Sequence, residues 1–197
     1  KRQVYGWGIG ENEHRNRTHP VKVNLNKFKK IGIRDYRSKF PENYPNTEYV
    51  PCVSCMSKLF DIKYEKKRDM GVVLHHGFKI KTPAYGQQLE DYEHILNTSK
   101  IEDFIRFIGE TKILLTDTYH AVYFAQLMNV PAILLHNFST KFDYIKYPIV
   151  EYSGDLARDR SRAESLPQVN FLDEAREANL KFYEFIKKLV ILQLKIA

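Results

Sequence analysis

Cysteine is scarce in the sequence, and its two cysteines, Cys52 and Cys55, form a single CxxC pair. A structural zinc site normally takes four ligands, so one pair without a second argues against a zinc knuckle. The flanking Pro51 and Ser54 differ from a thioredoxin-like motif, although a redox pair stays open. We interpret both residues as reduced, partly buried thiols and expect a cytoplasmic protein.

Long apolar runs are also missing. No stretch approaches the roughly 18 uninterrupted apolar residues that a membrane-spanning helix needs. The first residues, KRQVYGWGIG, lack the apolar core of a signal peptide. An apolar content of 43% and a charged content of 28% are those of a soluble globular protein. Because the chain starts abruptly, we expect it to be a segment of a longer protein.

Two cofactor signatures are absent. The histidines show no HxxxH or HExxH spacing, so we expect no metal site. The stretch GWGIGEN (6–12) has Glu11 where a GxGxxG fingerprint requires glycine, so we expect no nicotinamide cofactor either. Two roles stay open for its glycines: they can let the backbone approach a phosphate or a sugar, or they can allow the strands to pack closely.

Basic residues outnumber acidic ones, 31 against 24, which gives a net charge of +7 at pH 7. They are scattered rather than gathered in one patch, which argues against a nucleic-acid partner. The excess mildly favours anionic substrates, and a solvated surface explains it equally well.

Short apolar strands alternate with helical segments along the chain. Near-continuous apolar strands indicate a parallel sheet that is covered on both faces. The alternation from 71 to 137 is typical of a right-handed βαβ layer fold. We place strands at 3–9, 30–35, 48–53, 71–77, 112–117 and 131–137.

Helices are predicted at 99–111, 119–129 and 171–195. Ser99 and Glu102 have capping-box spacing at the start of the first helix. The segment 138–170 shows no lasting period and is predicted to be a long surface loop. The charged run KYEKKRD predicts domains at 1–66 and 67–197. The inner face of the last helix is predicted to contain Leu172, Ala175, Leu180, Tyr183, Ile186, Leu189 and Val190.

Polar or small residues directly follow five of the predicted strands. In open α/β sheets, ligands bind beyond the carboxyl ends of the strands, so these positions are the candidate site. The motifs are GWGIGEN (6–12), RDYRS (34–38), HHG (75–77), TDTYH (116–120) and HNFSTK (136–141).

The motif TDTYH combines a helix cap with a histidine. Asp117 or Thr118 is expected to cap the following helix. His120 then lies in the first turn, where the helix dipole favours an anion, although a structural role stays open. His75 and His76 would point to opposite sides of a continuing strand, so we favour only His76 as a cleft residue.

The motif RDYRS offers a planar guanidinium. Arg34 matches carboxylates and phosphates with two hydrogen bonds, or it forms a local ion pair with Asp35 that fixes the turn. Both interpretations stay open on these residues alone.

The strand-end blocks resemble the polysaccharide pyruvyl transferase family. ETKILLTDTYHAVYFAQLMNVPAILL (110–135), followed by STK (139–141), is similar to the C-terminal core of that family. IGIRDYRS (31–38) and YGWGIG (5–10) resemble its Arg-Asp-x-x-Ser and Gly-rich strand ends. This chain departs from the family pattern at Thr118, where many members carry Arg.

The resemblance implies an α/β fold with parallel-sheet Rossmann-like layers in a GT-B-like arrangement of two domains, the first of them incomplete. It also implies transfer of a pyruvyl group from phosphoenolpyruvate to two hydroxyls of a sugar, forming a ketal on a cell-surface polysaccharide or its precursor. No metal or other cofactor is expected, and the membrane would be contacted only through a lipid-linked acceptor.

The resemblance also assigns roles to individual residues. The catalytic set is His120, Asp117 and Arg34. The substrate-binding set is Lys141, Ser139, Gly8 and Gly10, to which the strand-end argument adds His76.

Two alternatives remain open. A two-domain glycosyltransferase with a nucleotide-sugar donor would use the same layers, and Thr118 in place of Arg favours it. A non-catalytic sugar-binding module would fit the short chain.

Overall fold

The computed structural model describes residues 4–10, 13, 15, 24–37, 42, 44–76, 89 and 91–196. Within these residues the strands are β1 (Val4–Ile9), β2 (Phe28–Ile33), β3 (Thr47–Tyr49), β4 (Arg68–Leu74), β5 (His94–Leu96), β6 (Thr111–Thr116), β7 (Ala132–Leu134) and β8 (Val150–Glu151). The α-helices of the same residues are α1 (Ile101–Gly109), α2 (Tyr119–Leu127), α3 (Leu156–Glu164) and α4 (Phe171–Ile196). Short 3-10 helices span Val53–Met56, Lys58–Asp61 and Thr140–Phe142.

The strands form two sheets, and every described strand pair is parallel. The first sheet has the order β1-β2-β3 and the second β5-β4-β6-β7-β8. The expected α/β class with parallel, Rossmann-like layers is therefore confirmed. The GT-B-like arrangement of two domains stays a prediction.

The chain divides into two compact units. The first comprises residues 1–56, 139–146 and 172–197, and the second comprises residues 57–138 and 147–171. The domain limits expected from the sequence, 1–66 and 67–197, remain a prediction, because compactness alone does not define a folding domain.

In the first unit, helix α4 packs on the sheet through Phe182. This side chain is 1% exposed and makes an edge-to-face contact with Trp7, with ring centroids 5.0 Å apart. A Cβ atom added at Gly32 of β2 would lie only 3.3 Å from the Phe182 ring. Glycine at this position therefore lets the helix approach the sheet closely.

Asn179 joins α4 to the CxxC segment. Its Nδ2 donates to the Pro51 carbonyl at 3.1 Å and contacts the Cys55 sulfur at 3.4 Å, and its Oδ1 accepts from Trp7 Nε1 at 2.8 Å. Both cysteines are free, with Cys55 buried and Cys52 partly buried. The CxxC pair thus belongs to the packing of the last helix.

The second unit has the more complete core. Val72, Val73, Leu114 and Leu115 of β4 and β6 are each 0% exposed. Because successive residues of a strand point to opposite faces, both faces of this sheet are covered. Helix α3 covers one face, where Ala163 packs into the apolar cluster.

Glu110 ties the start of β4 to the end of α1. Its carbonyl accepts hydrogen bonds from the backbone amides of Lys67 and Arg68, at 2.9 and 3.1 Å. Its carboxylate accepts from Lys67 Nζ at 2.6 Å, and this bond lowers the Glu110 pKa despite the opposing effect of burial. Glu110 is therefore a structural carboxylate.

Several sequence predictions were wrong in detail. The loop expected at 138–170 contains β8 and α3, because α3 is a polar helix, capped by the Asp155 side chain, that buries only Asp159 and Ala163. The expected capping box does not form: the N-cap of α1 is Lys100, without a side-chain hydrogen bond. On α4, Leu180, Tyr183 and Val190 are 51%, 47% and 40% exposed, and Phe182 and Asn179 are buried instead.

The predicted strands were confirmed within a few residues at their ends. Gln3, predicted in the first strand, lies outside the described residues. The short strands β5 and β8, of three and two residues, were not expected.

Candidate functional site

The turn after β6 is built by two threonine hydroxyls. Thr118 is the N-cap of α2, and its Oγ1 accepts from the Ala121 amide at 3.3 Å. Thr116 Oγ1 donates to the Val73 carbonyl at 2.7 Å and accepts from the Thr118 amide at 3.0 Å. The expected helix cap is therefore Thr118, and the turn is joined to the neighbouring strand β4.

Asp117 has a different contact. The residue is 0% exposed, and its Oδ1 accepts a 2.7 Å hydrogen bond from the His75 amide. A carboxylate that accepts from a backbone N–H makes a strong, charge-assisted hydrogen bond. Asp117 therefore fixes the chain where it leaves β4.

The two histidines after β4 lie side by side. We expected a continuing strand to send His75 and His76 to opposite sides, and this was wrong because β4 ends at Leu74. Their ring centroids lie 4.2 Å apart. The His76 amide donates to Asn97 Oδ1 at 2.9 Å, so the residue after β5 also holds this turn.

His120 is the second residue of α2 and is exposed to solvent. Its ring lies 5.6 Å from that of Tyr119 and 5.9 Å from that of Phe124, measured between centroids. The expected position in the first helical turn is confirmed. An exposed imidazole at a helix N-terminus can contact an anion and exchange a proton.

These residues form one group in the second unit, the β4–β6 corner: His75, His76, Asn97, Thr116, Asp117, Thr118 and His120. Thr116 ends β6, and the others follow the carboxyl ends of β4, β5 and β6, which are neighbours in the sheet. The corner matches the rule that ligands bind at this edge. Its histidines can provide proton transfer and anion contact.

In the first unit, Arg34 follows β2 directly. Its amide donates to the Ile9 carbonyl at 2.9 Å, which joins the ends of β1 and β2. Its Nε lies 3.9 Å from Asp35 Oδ1, and the two side chains are 18% and 0% exposed. The local ion pair considered from the sequence is thus present, and part of the Arg34 side chain still reaches solvent.

Gly8 and Gly10, the two candidate glycines, are needed at their positions for different structural reasons. Gly8 has a φ of +70°, which L-residues with side chains rarely adopt, and no atom lies within 4 Å of an added Cβ. At Gly10 an added Cβ would lie 2.5 Å from Arg34 Nε and 2.7 Å from Asp35 Oδ1. Gly10 therefore leaves the space that the Arg34 and Asp35 side chains occupy.

Ser139 and Lys141 belong to the first unit as well. Ser139 is 1% exposed, and its Oγ accepts from the Lys141 amide at 3.4 Å, which caps the 3-10 helix Thr140–Phe142. The segment lies at the carboxyl edge of the first sheet. Two backbone hydrogen bonds hold it there, from Thr140 to Glu13 at 3.0 Å and from Tyr36 to Tyr144 at 2.9 Å.

The structure thus distributes the predicted residues over both units. Gly10, Arg34 and the Ser139–Lys141 segment lie at the carboxyl edge of the first sheet, and His76, Asp117 and His120 lie in the β4–β6 corner. Asn97 was missed because β5 was not predicted. Glu11, Asn12, Ser38 and Gly77, the remaining polar or small ends of three motifs, lie outside the described residues.

The described residues contain neither a metal-binding cluster nor a membrane-spanning helix. No group of three or more His, Cys, Asp or Glu side chains suited to a metal ion occurs in the described part of the chain. Among the same residues, no helix has the length and apolar character to cross a bilayer.

A family model described as Polysaccharide pyruvyl transferase matches residues 1–137. The chain belongs to this family. The matched region contains the β1 and β2 strand ends of the first unit and the whole β4–β6 corner. No curated protein and no solved structure is significantly similar to the chain.

Proposed function

We propose that this family member transfers a pyruvyl group from phosphoenolpyruvate to two hydroxyls of a sugar, forming a ketal. The acceptor is a cell-surface polysaccharide or its precursor, and a cytoplasmic location and a lipid-linked acceptor are parts of the same proposal. The family match carries the proposal, and the exposed His120 of the β4–β6 corner supports it.

The reaction has a simple atom balance. The methylene carbon of phosphoenolpyruvate gains a proton and becomes a methyl group. Two sugar oxygens bond to the adjacent carbon, whose bond to the phosphate oxygen breaks. Of the two hydroxyl protons released, one replaces the proton taken up by the carbon and the other leaves with phosphate. The enzyme must therefore supply a general acid and a cationic environment for two anionic groups.

His120 is the proposed proton donor or phosphate contact. Its position in the first turn of α2 supports this role, because the helix dipole and backbone amides there favour an anion. A histidine can change its protonation state near neutral pH. We assign no other group of the β4–β6 corner to direct proton transfer.

Arg34 and Lys141 are the proposed cations for the donor carboxylate and phosphate. Arg34 follows the β2 strand end, and Gly10 leaves the space that its side chain occupies. The net charge of +7 is consistent with an anionic donor. Ser139 orders the Lys141 segment, and Gly8 and His76 remain proposed substrate contacts.

Asp117 is proposed as a positioning residue. Its complete burial and its hydrogen bond to the His75 amide support this role. The catalytic role expected from the resemblance is untested.

The test is incubation with phosphoenolpyruvate and a galactose- or mannosamine-containing acceptor. We expect phosphate release that depends on the acceptor, and a pyruvyl ketal on the recovered sugar. Thermal unfolding with phosphoenolpyruvate and with nucleoside diphosphates provides the comparison, because a preferred ligand raises the unfolding temperature. Stabilisation by nucleoside diphosphates alone, without acceptor-dependent phosphate release, would favour the glycosyltransferase.

A further inference from the structure

The CxxC segment of the first unit places two thiols on one tight turn. The Cys55 amide donates to the Cys52 carbonyl at 3.3 Å, and this bond opens the 3-10 helix Val53–Met56. The Cα atoms at the two ends of such a turn lie within about 7 Å of each other. Disulfides join cysteines whose Cα atoms are about 4.4–6.8 Å apart, so the backbone here suits a bridge between Cys52 and Cys55.

The two thiols differ in their access to solvent. Cys55 is 0% exposed, whereas Cys52 is partly exposed. Thiol–disulfide exchange begins when a thiolate attacks a sulfur of the oxidant, so the first cysteine to react must be one that the oxidant can reach. Cys52 is therefore the residue that reacts first, and Cys55 can follow only by a step within the molecule.

Both sulfurs accept a hydrogen bond. Cys52 Sγ accepts from Ser54 Oγ at 3.2 Å, and Cys55 Sγ accepts from Asn179 Nδ2 at 3.4 Å. The reactive form of a cysteine is the thiolate, whose negative charge is stabilised by donors of this kind. The Asn179 amide has a fixed orientation, because its Oδ1 accepts from Trp7 Nε1 at 2.8 Å. Each sulfur thus has a donor in place for the step in which it carries charge.

We propose that Cys52 and Cys55 form a reversible redox site, which a small disulfide such as oxidised glutathione converts into an internal disulfide. The Cys52 thiolate bonds to one sulfur of oxidised glutathione, and the other glutathione leaves as a thiol. Cys55 then bonds to the Cys52 sulfur, and the second glutathione leaves in the same way. In total the two protein thiols lose two electrons and two protons, and one glutathione disulfide becomes two thiols.

Mass spectrometry after incubation with oxidised glutathione tests the proposal. We expect the native protein to become lighter by two hydrogen atoms, to carry no glutathione, and to offer no thiol for alkylation after unfolding. Bound glutathione should not accumulate, because Cys55 attacks Cys52 at the high effective concentration of a neighbour on the same turn. Dithiothreitol should restore both thiols.

Two single variants separate the roles of the cysteines. Cys55→Ser should accumulate glutathione on Cys52, because no second thiol is left to displace it. Cys52→Ser should take up glutathione at least about tenfold more slowly than Cys55→Ser does, because its remaining thiol is buried. Serine is close to cysteine in size, so both variants keep the packing under α4.

Three results would overturn the proposal: both thiols of the native protein stay open to alkylation, glutathione stays bound to it, or its disulfide joins two molecules. If a variant does not fold, the masses of the native protein still decide. The measurement needs neither phosphoenolpyruvate nor a sugar, so its result is independent of pyruvyl transfer.

Discussion

Replacing Asp117 tests how the β4–β6 corner is held. The carboxylate is 0% exposed and accepts a 2.7 Å hydrogen bond from the His75 amide. A hydrogen bond to a charged acceptor contributes about 1.5–3 kcal/mol. Because His75 is only partly buried, water replaces part of the loss, so we expect Asp117→Ala to cost about 2 kcal/mol locally. Asp117→Asn keeps an oxygen acceptor and should cost less than about 1 kcal/mol.

Amide hydrogen exchange measures this local cost. A loss of about 2 kcal/mol makes exchange roughly 30-fold faster, since each 1.4 kcal/mol is a factor of ten. We expect the faster exchange at the end of β4 in Asp117→Ala and a smaller change in Asp117→Asn. Asp91→Ala is the control, because Asp91 is exposed in a turn of the same unit. Exchange within twofold of the native rate in Asp117→Ala would refute the positioning role.

Three further changes test other parts of the structure. Gly10→Ala should displace Arg34, whose Nε would lie 2.5 Å from the new Cβ, and raise the KM for phosphoenolpyruvate; an unchanged KM would contradict this. Asn179→Leu should destabilise the first unit by about 2 kcal/mol, because Trp7 Nε1 and the Pro51 carbonyl lose their hydrogen bonds to Asn179. Urea unfolding, followed by the fluorescence of Trp7, the single tryptophan, measures this loss. The pKa of Glu110 is lowered below 4.5 in the folded state, so its ionised carboxylate adds to the free energy of unfolding above about pH 4.5, and this contribution is lost as the pH falls through the lowered pKa. Glu110→Gln should therefore lose less stability on acidification than the native protein does. Parallel curves of unfolding free energy against pH for the two proteins would contradict the assignment.

The hydrophobic pattern predicted the layers of the fold well. Continuous apolar runs such as Ile113–Leu115 have no polar face, so they suit only a sheet that is covered on both sides. The same pattern could not predict β5 and β8, because strands of two or three residues are too short to show a period. Helix α3 was missed because it buries so few residues.

The sequence could predict the parts of the candidate site that lie within one strand end, but not the contacts between different strand ends. The motif TDTYH indicated a cap followed by a first-turn histidine, and both are present. The neighbouring contacts depend on tertiary structure: Asp117 bonds to His75, 42 residues earlier in the chain, and Asn97 to His76, 21 residues earlier. One wrong strand end was enough to misplace the histidine pair, because side chains alternate with every residue.

Ketal formation by His120→Ala is the most direct test of the proposed chemistry. The native protein should convert phosphoenolpyruvate and the acceptor sugar into the pyruvyl ketal, measured by mass spectrometry of the sugar. His120→Ala should form it at least about 100-fold more slowly, as expected for loss of a general acid. His94→Ala, which removes an exposed histidine on β5, should retain the native rate. A native rate in His120→Ala would contradict the account.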